Sequence, residues 1–439
     1  MIKTGKEPEP SREKGAPGSF RKMRQLTLFD EEELTGVDEN APEIVQNAWR
    51  KAKQDMKKNF TELQELPYEK KLERQKDKAW EFYEEMEKRG HSCHVSVGGL
   101  DSITLFIWLH SIGIHVPAIS VSAVEDKGNQ RVHKALGIEM VKSYKTKVEV
   151  LNECGFPVIS KRIAGKIDML QHPSEDNKTV RHAIITGECG EQGHFAKNSR
   201  MKLPQKWLQK FGGYENENEG VHYDKPDFFV SNDCCYWLKE KPCDDWAKVH
   251  NSFPYLGMMA SEGGQREEAL VEHGCNYYGK TVTRSAPFAI FLRNDILRLA
   301  LEMNQWYHEH IEIFQELYYK QPYSRDKDGS IIPYEPLDRI IPEIYGEILQ
   351  HENGDYYTTR AQRTGCSMCG FGIHLEERPH RFDRLREDNP KEWEFWMYKC
   401  CTDKKTGKKY GWGRVLDYIG VEWEDVPATQ IELPLGKMR

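Results

Sequence analysis

Apolar and polar residues follow one period in the first part of the chain and another beyond residue 90. Between residues 41 and 89, single large apolar residues such as Trp49 and Trp80 stand among many charged residues at helical spacing. This pattern predicts two or three amphipathic helices. The short apolar runs His94–Val97 and Val116–Val124 are instead typical of strands, and two glycines follow the first run.

A helix is predicted between these two strands, because Ser102–Ile112 has a strongly apolar face. Strand, glycine turn, helix and strand in this order are typical of an α/β domain with a parallel sheet. We therefore expect an α/β fold with a parallel twisted sheet and helices on both faces, plus helical N-terminal and C-terminal extensions. Weaker patterns predict helices over Arg131–Leu136 and Phe288–His310, and strands over Glu139–Val141, Asp227–Ser231 and Phe253–Met259.

The same patterns divide the chain into four parts. Residues 1–45 are rich in Pro, Gly, Glu and Lys and are expected to form a disordered tail. Residues 46–90 are expected to form a helical extension, and residues 91–300 the nucleotide-binding domain. Residues 301–439 are expected to form a helical C-terminal region that carries a Cys-x-x-Cys loop.

Composition narrows the class of protein. The 439 residues are 38% hydrophobic and 30% charged, and no stretch approaches the roughly 18 apolar residues that span a bilayer. With a polar start and no apolar signal core, a cytoplasmic location is expected and no membrane contact. The net charge of −7 argues against a basic coat, although the 63 Lys and Arg leave room for a local basic groove.

A phosphate-binding loop is the first candidate site. Gly98 and Gly99 allow a tight turn, so that backbone N–H groups at the start of the next helix can approach an anion. Asp101 and Ser102 fall in the first helical turn, where the serine can bind phosphate oxygens and the aspartate can hold Mg²⁺ or cap the helix. The candidate nucleotide-binding residues of this loop are Val97, Gly98, Gly99, Leu100, Asp101 and Ser102.

Cysteines form the second candidate site. Eleven cysteines in a chain without an export signal favour metal binding over disulfides. Two residues separate Cys366 from Cys369, and glycines flank the pair, which presents two thiolates to one metal. The tandem pair and one further cysteine add three candidates, and zinc fits this spacing as well as iron–sulfur does. The candidate metal ligands are Cys234, Cys235, Cys275, Cys366 and Cys369, whereas Cys93, Cys154 and Cys189 are expected to be ordinary buried thiols.

Both sites resemble one family. Val97–Ser102 resembles the Ser-Gly-Gly-x-Asp-Ser pyrophosphate loop of ATP pyrophosphatases and adenylylsulfate reductases, with Val97 in place of the first serine and Ser96 one position earlier. The segment Cys234-Cys235-x-x-x-Lys239-x-x-Pro242 is similar to the Cys-Cys-x-x-Arg-Lys-x-x-Pro motif of the [4Fe–4S] adenylylsulfate reductases.

Three further segments agree with this family in chain order. Gly155–Lys161 resembles the substrate loop of phosphoadenosine phosphosulfate (PAPS) reductases, and Gly257–Arg266 resembles their Gly-x-Arg-x-x-Glu-x-x-x-Arg segment. Arg363–Gly372 resembles the cluster loop of phage and mobile-element-type members. The chain is thus identified from about Cys93 to Tyr418 as a member of the PAPS reductase family, with the fold of the adenine nucleotide alpha hydrolases.

The resemblance implies an enzyme that binds ATP or PAPS, with Mg²⁺ and a [4Fe–4S] cluster, in sulfur transfer or reduction. It implies Asp101, Ser102 and Lys161 as catalytic residues and adds Glu262 and Arg266 to the nucleotide site. Lys239 and Arg284 are further anion-binding candidates. Two ligand sets stay open: Cys234, Cys235, Cys366 and Cys369, or one of the tandem pair together with Cys275, Cys366 and Cys369.

The reaction itself stays open at this point. PAPS reductases attack sulfur with a thiolate in a C-terminal Glu-Cys-Gly segment, which this chain lacks, and only Cys400 and Cys401 could replace it. An ATP pyrophosphatase would instead adenylylate an oxygen, release pyrophosphate and let a sulfur nucleophile displace AMP, as in DNA phosphorothioation or tRNA thiolation. Two functions without catalysis also fit the motifs: a metal-containing nucleic-acid-binding module and a nucleotide sensor.

An apolar island in the N-terminal tail suggests a partner. Gln25–Phe29 (QLTLF) resembles the peptide with which bacterial replication and repair proteins bind the DNA sliding clamp. Leu28 and Phe29 would fill an apolar pocket, and Gln25 would bond at its edge. Nucleic acid as a substrate and self-association are further partner expectations.

Overall fold

The computed structural model describes residues 43–188, 201–212, 215–216, 221–222, 224–318, 323–325, 331–333, 340–361 and 365–424. Its helices are α1 Glu43–Gln64, α2 Tyr68–Lys88, α3 Leu100–Ser111, α4 Lys127–Ala135, α5 Lys147–Glu153, α6 Lys161–Gln171, α7 Lys178–Thr186, α8 Gln205–Phe211, α9 Asp233–Cys235, α10 Lys241–Val249, α11 Gly264–His273, α12 Arg293–Glu309, α13 Ile311–Tyr318, α14 Ile340–Tyr345, α15 Arg381–Asp388, α16 Pro390–Tyr398 and α17 Trp412–Ile419. A π-helical turn, Tyr236–Glu240, joins α9 to α10. Its strands are β1 Ser92–Ser96, β2 Ala118–Ser120, β3 Glu139–Met140, β4 Val158–Ile159, β5 Glu215–Asn216, β6 Val221–His222, β7 Ser252–Tyr255, β8 Asn276–Tyr278, β9 Thr283–Ser285, β10 Tyr323–Arg325, β11 Ile331–Pro333, β12 Ile348–Gln350, β13 Tyr356–Thr358, β14 Gly370–Phe371, β15 Cys401–Thr402 and β16 Lys409–Tyr410.

A six-stranded, mostly parallel sheet forms the centre of the fold, in the order β3-β2-β1-β7-β9-β8. Strand β1 runs parallel to both neighbours, with Val95 opposite Ala118 on one side and Tyr255 on the other. Only the edge pair β8–β9 is antiparallel within this sheet. All three of these central residues are buried, as expected for a parallel sheet that is covered on both faces. The predicted α/β class with a parallel sheet is confirmed.

Helices cover both faces of this sheet. Tyr255 packs edge-on against Phe82 of α2 and donates a hydrogen bond to the Ala79 carbonyl at 2.7 Å. On β1, His94 points to the opposite face and packs against Trp246 of α10, with 5.1 Å between the ring centroids. Two or three helices are predicted before residue 90, and the structure has two, α1 and α2. Helix α2 is part of the layer that covers the sheet.

A second hydrophobic core brings together segments that are far apart in sequence. Phe156, from the segment before β4, packs edge-on against Trp412 of α17, with ring centroids 5.0 Å apart. Strand β4 pairs in parallel with β14, with Val158 opposite Gly370. A side chain at Gly370 would collide with the Trp412 ring, which explains the glycine. The predicted division at residue 300 does not separate the two cores.

One predicted strand is wrong. Asp227–Ser231 forms only a single bridge, between Val230 and Phe156. The physical reason is a side chain that replaces a neighbouring strand. Gln171 accepts a hydrogen bond from the Val230 N–H at 2.8 Å and donates one to the Phe228 carbonyl at 3.1 Å.

Three other predicted elements are shorter or displaced. The run Val116–Val124 forms β2 and then a 3₁₀ turn, Ser122–Val124. The strand predicted over Phe253–Met259 ends at Tyr255. The helix predicted from Phe288 begins at Arg293, because the Asp295 carboxylate accepts a hydrogen bond from the Leu292 N–H at 2.8 Å and caps it there.

Among the described residues, no helix combines the length and the apolar character needed to cross a bilayer.

Candidate nucleotide and cysteine site

The glycine loop lies at the carboxyl end of β1, where the order of the sheet changes direction. Strand β2, which follows in the chain, lies on one side of β1, and the later strand β7 lies on the other. Ligands of open parallel sheets bind at such a switch point. The loop also leads directly into α3, whose first N–H groups have no partner within the helix.

Ser102 holds the turn in shape. Its Oγ accepts a hydrogen bond from the Gly98 N–H at 2.8 Å and donates one to the Gly99 carbonyl at 3.0 Å. The serine therefore organises the loop, and a bound phosphate would compete for the same hydroxyl. On the other side, the buried ring of His133 contacts the Gly98 carbonyl through Nε2 at 2.8 Å and the Ser122 hydroxyl through Nδ1 at 3.0 Å.

The surroundings of His133 favour its neutral form. Burial lowers the pKa of the imidazole, so the ring donates from Nε2 to the Gly98 carbonyl and accepts the Ser122 hydroxyl proton at Nδ1. A neutral ring fixes the loop without adding charge to it.

Gly257 comes from the turn after β7 and packs against the loop backbone. A Cβ at this position would lie 2.8 Å from both N and Cα of Ser102 and 2.9 Å from the carbonyl carbon of Asp101. Only glycine permits this approach. The packing of the loop therefore requires a glycine at position 257.

Asp101 is paired with an arginine that sequence reasoning missed. Arg293, the first residue of α12, donates from Nη1 to Asp101 Oδ1 at 2.9 Å. The pair ties the start of α3 to α12 and partly neutralises the carboxylate at the loop. No pattern in the sequence marks Arg293, because it simply follows a buried apolar stretch.

Ser96 does not take the place of the serine that Val97 replaces. The Ser96 hydroxyl lies 3.3 Å from His94 Nε2, on the face of β1 that is covered by α10. Val97 is buried. The hydroxyl that the family motif supplies at the first loop position is therefore not restored by its neighbour.

The Cys-x-x-Cys segment lies beside the turn that follows β2. Cys366 forms an antiparallel bridge with Glu125, and the Ser367 N–H donates to the Val124 carbonyl at 3.2 Å. The turn is closed by the Cys369 N–H, which donates to the Cys366 carbonyl at 3.1 Å. Met368 within it has a φ of 63°, a conformation that is uncommon for a non-glycine residue and occurs at functional sites.

The tandem cysteines lie against the same turn. Cys234 is part of a small core with Val121 and Val124, and Cys235 and Cys366 pack against it. The two tandem sulfur atoms are 4.0 Å apart. The structure thus brings together Cys234, Cys235, Cys366 and Cys369, and each of the four interacts electrostatically with at least one other.

Two other cysteines pack against this small core. They are Cys154, which is expected to be an ordinary buried thiol, and Cys243, two residues into α10. Burial raises the pKa of Cys243 to about 12. No sequence motif marks Cys243 as a site residue, because it lies in an unremarkable helix.

An ion pair connects the cysteines to the glycine loop. Lys239 Nζ contacts Glu125 Oε1, and the same carboxylate oxygen would be 3.4 Å from a Cβ at Gly98. Burial opposes the charge of Lys239, but Cys366 and Glu125 raise its pKa above the ordinary value. Among the described residues, the second oxygen of Glu125 is buried without a hydrogen-bond partner.

Lys161 lies on the other side of the tandem pair. It begins α6, which is capped by Ser160, and its Nζ is 3.3 Å from Glu240 Oε1. Burial lowers the pKa of Lys161, and Cys235 and Glu240 outweigh that effect and raise it. The Cys234 thiol and the lysine charges lower the pKa of Cys235, so this thiol is the one that most favours the thiolate form.

Glu262 and Arg266 form an ion pair close to Lys161. Arg266 Nη1 contacts Glu262 Oε2, and the charge of Arg266 acts on Lys161. Helices α11 and α6 are also joined by Arg162 and Glu268, whose side chains are 3.0 Å apart. The predicted residues Lys161, Glu262 and Arg266 are therefore neighbours, although about half of the Arg266 side chain is exposed.

Cys275 lies elsewhere. Its Sγ is 3.3 Å from Gln75 Oε1 of α2, and it packs against the core of the large sheet. Burial raises the pKa of this thiol, and the charge of Arg284 is among the smaller effects that lower it. The structure thus places neither Cys275 nor Arg284 beside the other cysteines, whereas Cys234, Cys235, Cys366 and Cys369 are neighbours of one another.

Cys400 and Cys401 are buried in the second core, with sulfur atoms 3.9 Å apart. The Cys400 thiol donates to the Trp396 carbonyl at 3.2 Å. Cys93 is buried too, as expected. Most of the predicted N-terminal tail with Gln25–Phe29, together with Cys189 and Arg363–Thr364, lies outside the described residues.

The thiols are close, but they are not arranged as a complete coordination shell. In the part of the chain that the structure describes, no three His, Cys, Asp or Glu side chains are grouped to hold a metal ion. As a donor set, four thiols with two adjacent lysines fit an iron–sulfur cluster or zinc, since soft thiolates select these metals and positive charge favours thiolate.

No protein-family model, no curated protein and no solved structure matches this chain.

Proposed function

We propose that the protein is an enzyme that binds an adenine nucleotide at Gly98–Ser102 and uses it in sulfur transfer or reduction, as in the PAPS reductase family. One observation carries the proposal: the Lys239–Glu125 ion pair joins the glycine loop to four cysteines. Glu125 lies against Gly98, and the charge of Lys239 acts on Cys366 and Cys235. A nucleotide loop and a thiol cluster at one place are the two parts that such chemistry needs.

Several groups around the glycine loop would bind the phosphates of the nucleotide. Backbone N–H groups at the start of α3 would bind the phosphates, and Ser102 would exchange its loop contacts for a phosphate oxygen. Lys161 and Arg266 would offset the negative charge on the opposite side. The unpartnered buried oxygen of Glu125 is a group that a bound ligand or Mg²⁺ would satisfy.

The four cysteines would hold a [4Fe–4S] cluster, with zinc as the other metal that suits four thiolates. A cluster bound there would supply one-electron redox chemistry or a site for sulfur. The chain itself favours the thiolate form of Cys235 against the effect of burial, through the hydrogen bond from the Cys234 thiol and the charges of Lys161 and Lys239, which lower the pKa of Cys235.

A second function is favoured by the burial of Cys400 and Cys401. They are 3% and 0% exposed, so neither offers the mobile thiolate with which a PAPS reductase attacks sulfur. ATP pyrophosphatase chemistry needs no such thiolate, because the acceptor oxygen attacks the α-phosphorus and pyrophosphate leaves. The loop N–H groups would stabilise the charge that develops on that leaving group.

Two product assays on protein purified under anaerobic conditions test the proposal. Release of sulfite from PAPS supports reduction, and release of pyrophosphate from ATP with an acceptor present supports the pyrophosphatase. Both activities should fall at least about tenfold in Ser102→Ala, since one lost hydrogen bond to a charged group is worth about 1.5–3 kcal/mol. Tight nucleotide binding with neither product would contradict an enzyme and favour a sensor.

A further inference from the structure

A lysine-rich hairpin projects from the second core. Strands β15 and β16 pair with Cys401 opposite Tyr410, and the connection between them is exposed. Four lysines and one aspartate lie between residues 403 and 409, in a chain whose net charge is −7. Among the described residues, Lys404, Lys405 and Lys408 form no ion pair, so their charges face the solvent.

The tip of the hairpin is a defined turn. Asp403 Oδ1 accepts hydrogen bonds from the N–H groups of Lys405 at 2.8 Å and Thr406 at 2.9 Å. These two N–H groups lower the pKa of Asp403. Gly407, with a φ of 68°, completes the turn. The one carboxylate of the tip is therefore used by the backbone, and Arg414 lies 3.7 Å from it.

An aromatic groove of ≈ 650 Å³ continues from the base of the hairpin. Tyr398, which is exposed, and the half-buried Tyr410 and Tyr418 line it together with the buried Trp423. The Arg414 guanidinium lies 4.3 Å from the centre of the Tyr410 ring. Two acidic residues also line the groove, but both already have partners. Asp417 accepts from Trp423 Nε1 at 2.7 Å, and Glu424 accepts from the Tyr398 hydroxyl at 3.3 Å.

The hairpin is connected to the cysteine site through α5. At one end of this helix, Asn152 Oδ1 accepts a hydrogen bond from the Thr402 N–H at 3.0 Å. At the other end, Lys147 Nζ contacts the Ser367 hydroxyl, within the Cys366–Cys369 turn. Seven residues of helix span about 10 Å, so the base of the hairpin is one short helix away from the cysteines.

We propose that the hairpin tip and the aromatic groove form a docking surface for single-stranded nucleic acid. Lysines that face the solvent suit a phosphate backbone, and neighbouring aromatic rings suit unstacked bases. The tip carries no large apolar residue, which argues against insertion into a membrane. The docking proposal does not depend on the proposed function. Only the step in which the bound strand serves as the sulfur or adenylyl acceptor rests on it.

The test is fluorescence anisotropy with a labelled DNA strand of about 20 nucleotides, the same sequence as RNA, and the DNA duplex, over a series of salt concentrations. The variant K404Q/K405Q/K408Q should weaken binding to single strands about 10- to 100-fold near 0.1 M salt and reduce the salt slope by about 2. The matched control K70Q/K76Q/K88Q removes three exposed charges from α2 and should bind like the parent protein. Tyr398→Ala should weaken single strands about fivefold or more and leave the duplex nearly unchanged.

Comparison of the DNA strand with the RNA strand identifies which nucleic acid is preferred. An equal loss of affinity in both lysine variants, or no loss of affinity in the hairpin variant, would overturn the proposal. So would lysine-dependent binding to anionic vesicles or to a poly-glutamate peptide without binding to nucleic acid. Nucleotide binding, measured separately by calorimetry, should be unchanged in the hairpin variant. Failure of docking can therefore be distinguished from failure of the proposed reaction.

Discussion

Lys239 and Glu125 form an ion pair that connects the glycine loop to the cysteine turn. Glu125 is almost fully buried, whereas the Lys239 side chain is 31% exposed. Lys239 lies in the π-helical turn that follows the tandem cysteines, and Glu125 forms the β-bridge with Cys366. Both halves of the candidate site therefore depend on one electrostatic contact.

Removal of one member of the Lys239–Glu125 pair should lower the free energy of unfolding more than removal of both members. Lys239→Met leaves a buried carboxylate without its counter-charge and should lower the free energy of unfolding by about 2–3 kcal/mol. Adding Glu125→Gln to that variant should restore at least half of the loss. Urea unfolding of the two single variants and the double variant measures the coupling. Strictly additive losses would show that the pair is not coupled.

Gly257→Ala should damage the nucleotide loop specifically. The added methyl group would meet backbone atoms of Ser102 and Asp101 at 2.8–2.9 Å, and backbone cannot move aside as a flexible side chain does. Nucleotide affinity, measured by calorimetry, should fall about tenfold or more, in line with typical costs of about 1–3 kcal/mol for overpacking. Gly365→Ala is the matched control, because a Cβ there has no neighbour within 4 Å. Equal affinities of the two variants would refute this role of Gly257.

Serine substitutions at the four clustered cysteines should affect the metal, and a fifth substitution should not. Replacing Cys234, Cys235, Cys366 or Cys369 would remove a proposed ligand, so iron content and visible absorbance after anaerobic purification should fall sharply. Cys275→Ser should retain both, since Cys275 packs in the other core. Purified protein that contains stoichiometric zinc and no iron would show that the site binds zinc and not an iron–sulfur cluster.

Acid should destabilise the protein through two buried histidines. Burial lowers the pKa of both His94 and His110 to about 4, against 6.5 in the unfolded chain. The unfolded state therefore binds more protons below pH 6.5, and stability that is complete above that pH is lost as pH falls toward 4. Each histidine should cost about 2 kcal/mol at about pH 5. His94→Gln should flatten the curve of unfolding free energy against pH, whereas exposed His351→Gln should not.

Local patterns predicted the elements and the loop, but not the neighbours of the loop. The helix after Gly99 and the strands on either side are visible in the sequence because their apolar period is strong. Asp227–Ser231 has the composition of a strand, yet a single glutamine side chain, Gln171, occupies its backbone groups. A contact 59 residues away leaves no trace in the local pattern.

The cysteine site could be predicted only in part. Motif resemblance indicated the four cysteines, and it left Cys275 as an equal candidate until the fold placed that residue beside α2. Arg293 and Cys243 could not be found, because each lies in a helix whose sequence is ordinary. The long-range packing that brings Cys366 to Glu125 is a property of the whole chain.

The two pairs of cysteines are far apart in the sequence. About 130 residues lie between Cys235 and Cys366, including β7, Gly257 and Arg293. The two ends of this stretch lie close together in the fold. Cys234 and Cys235 are therefore synthesised well before Cys366 and Cys369. A metal held by these four thiols, as we propose, could contact all of them only after Cys369 has emerged from the ribosome, so a chain that ends before Cys366 would leave Cys234 and Cys235 without these partners.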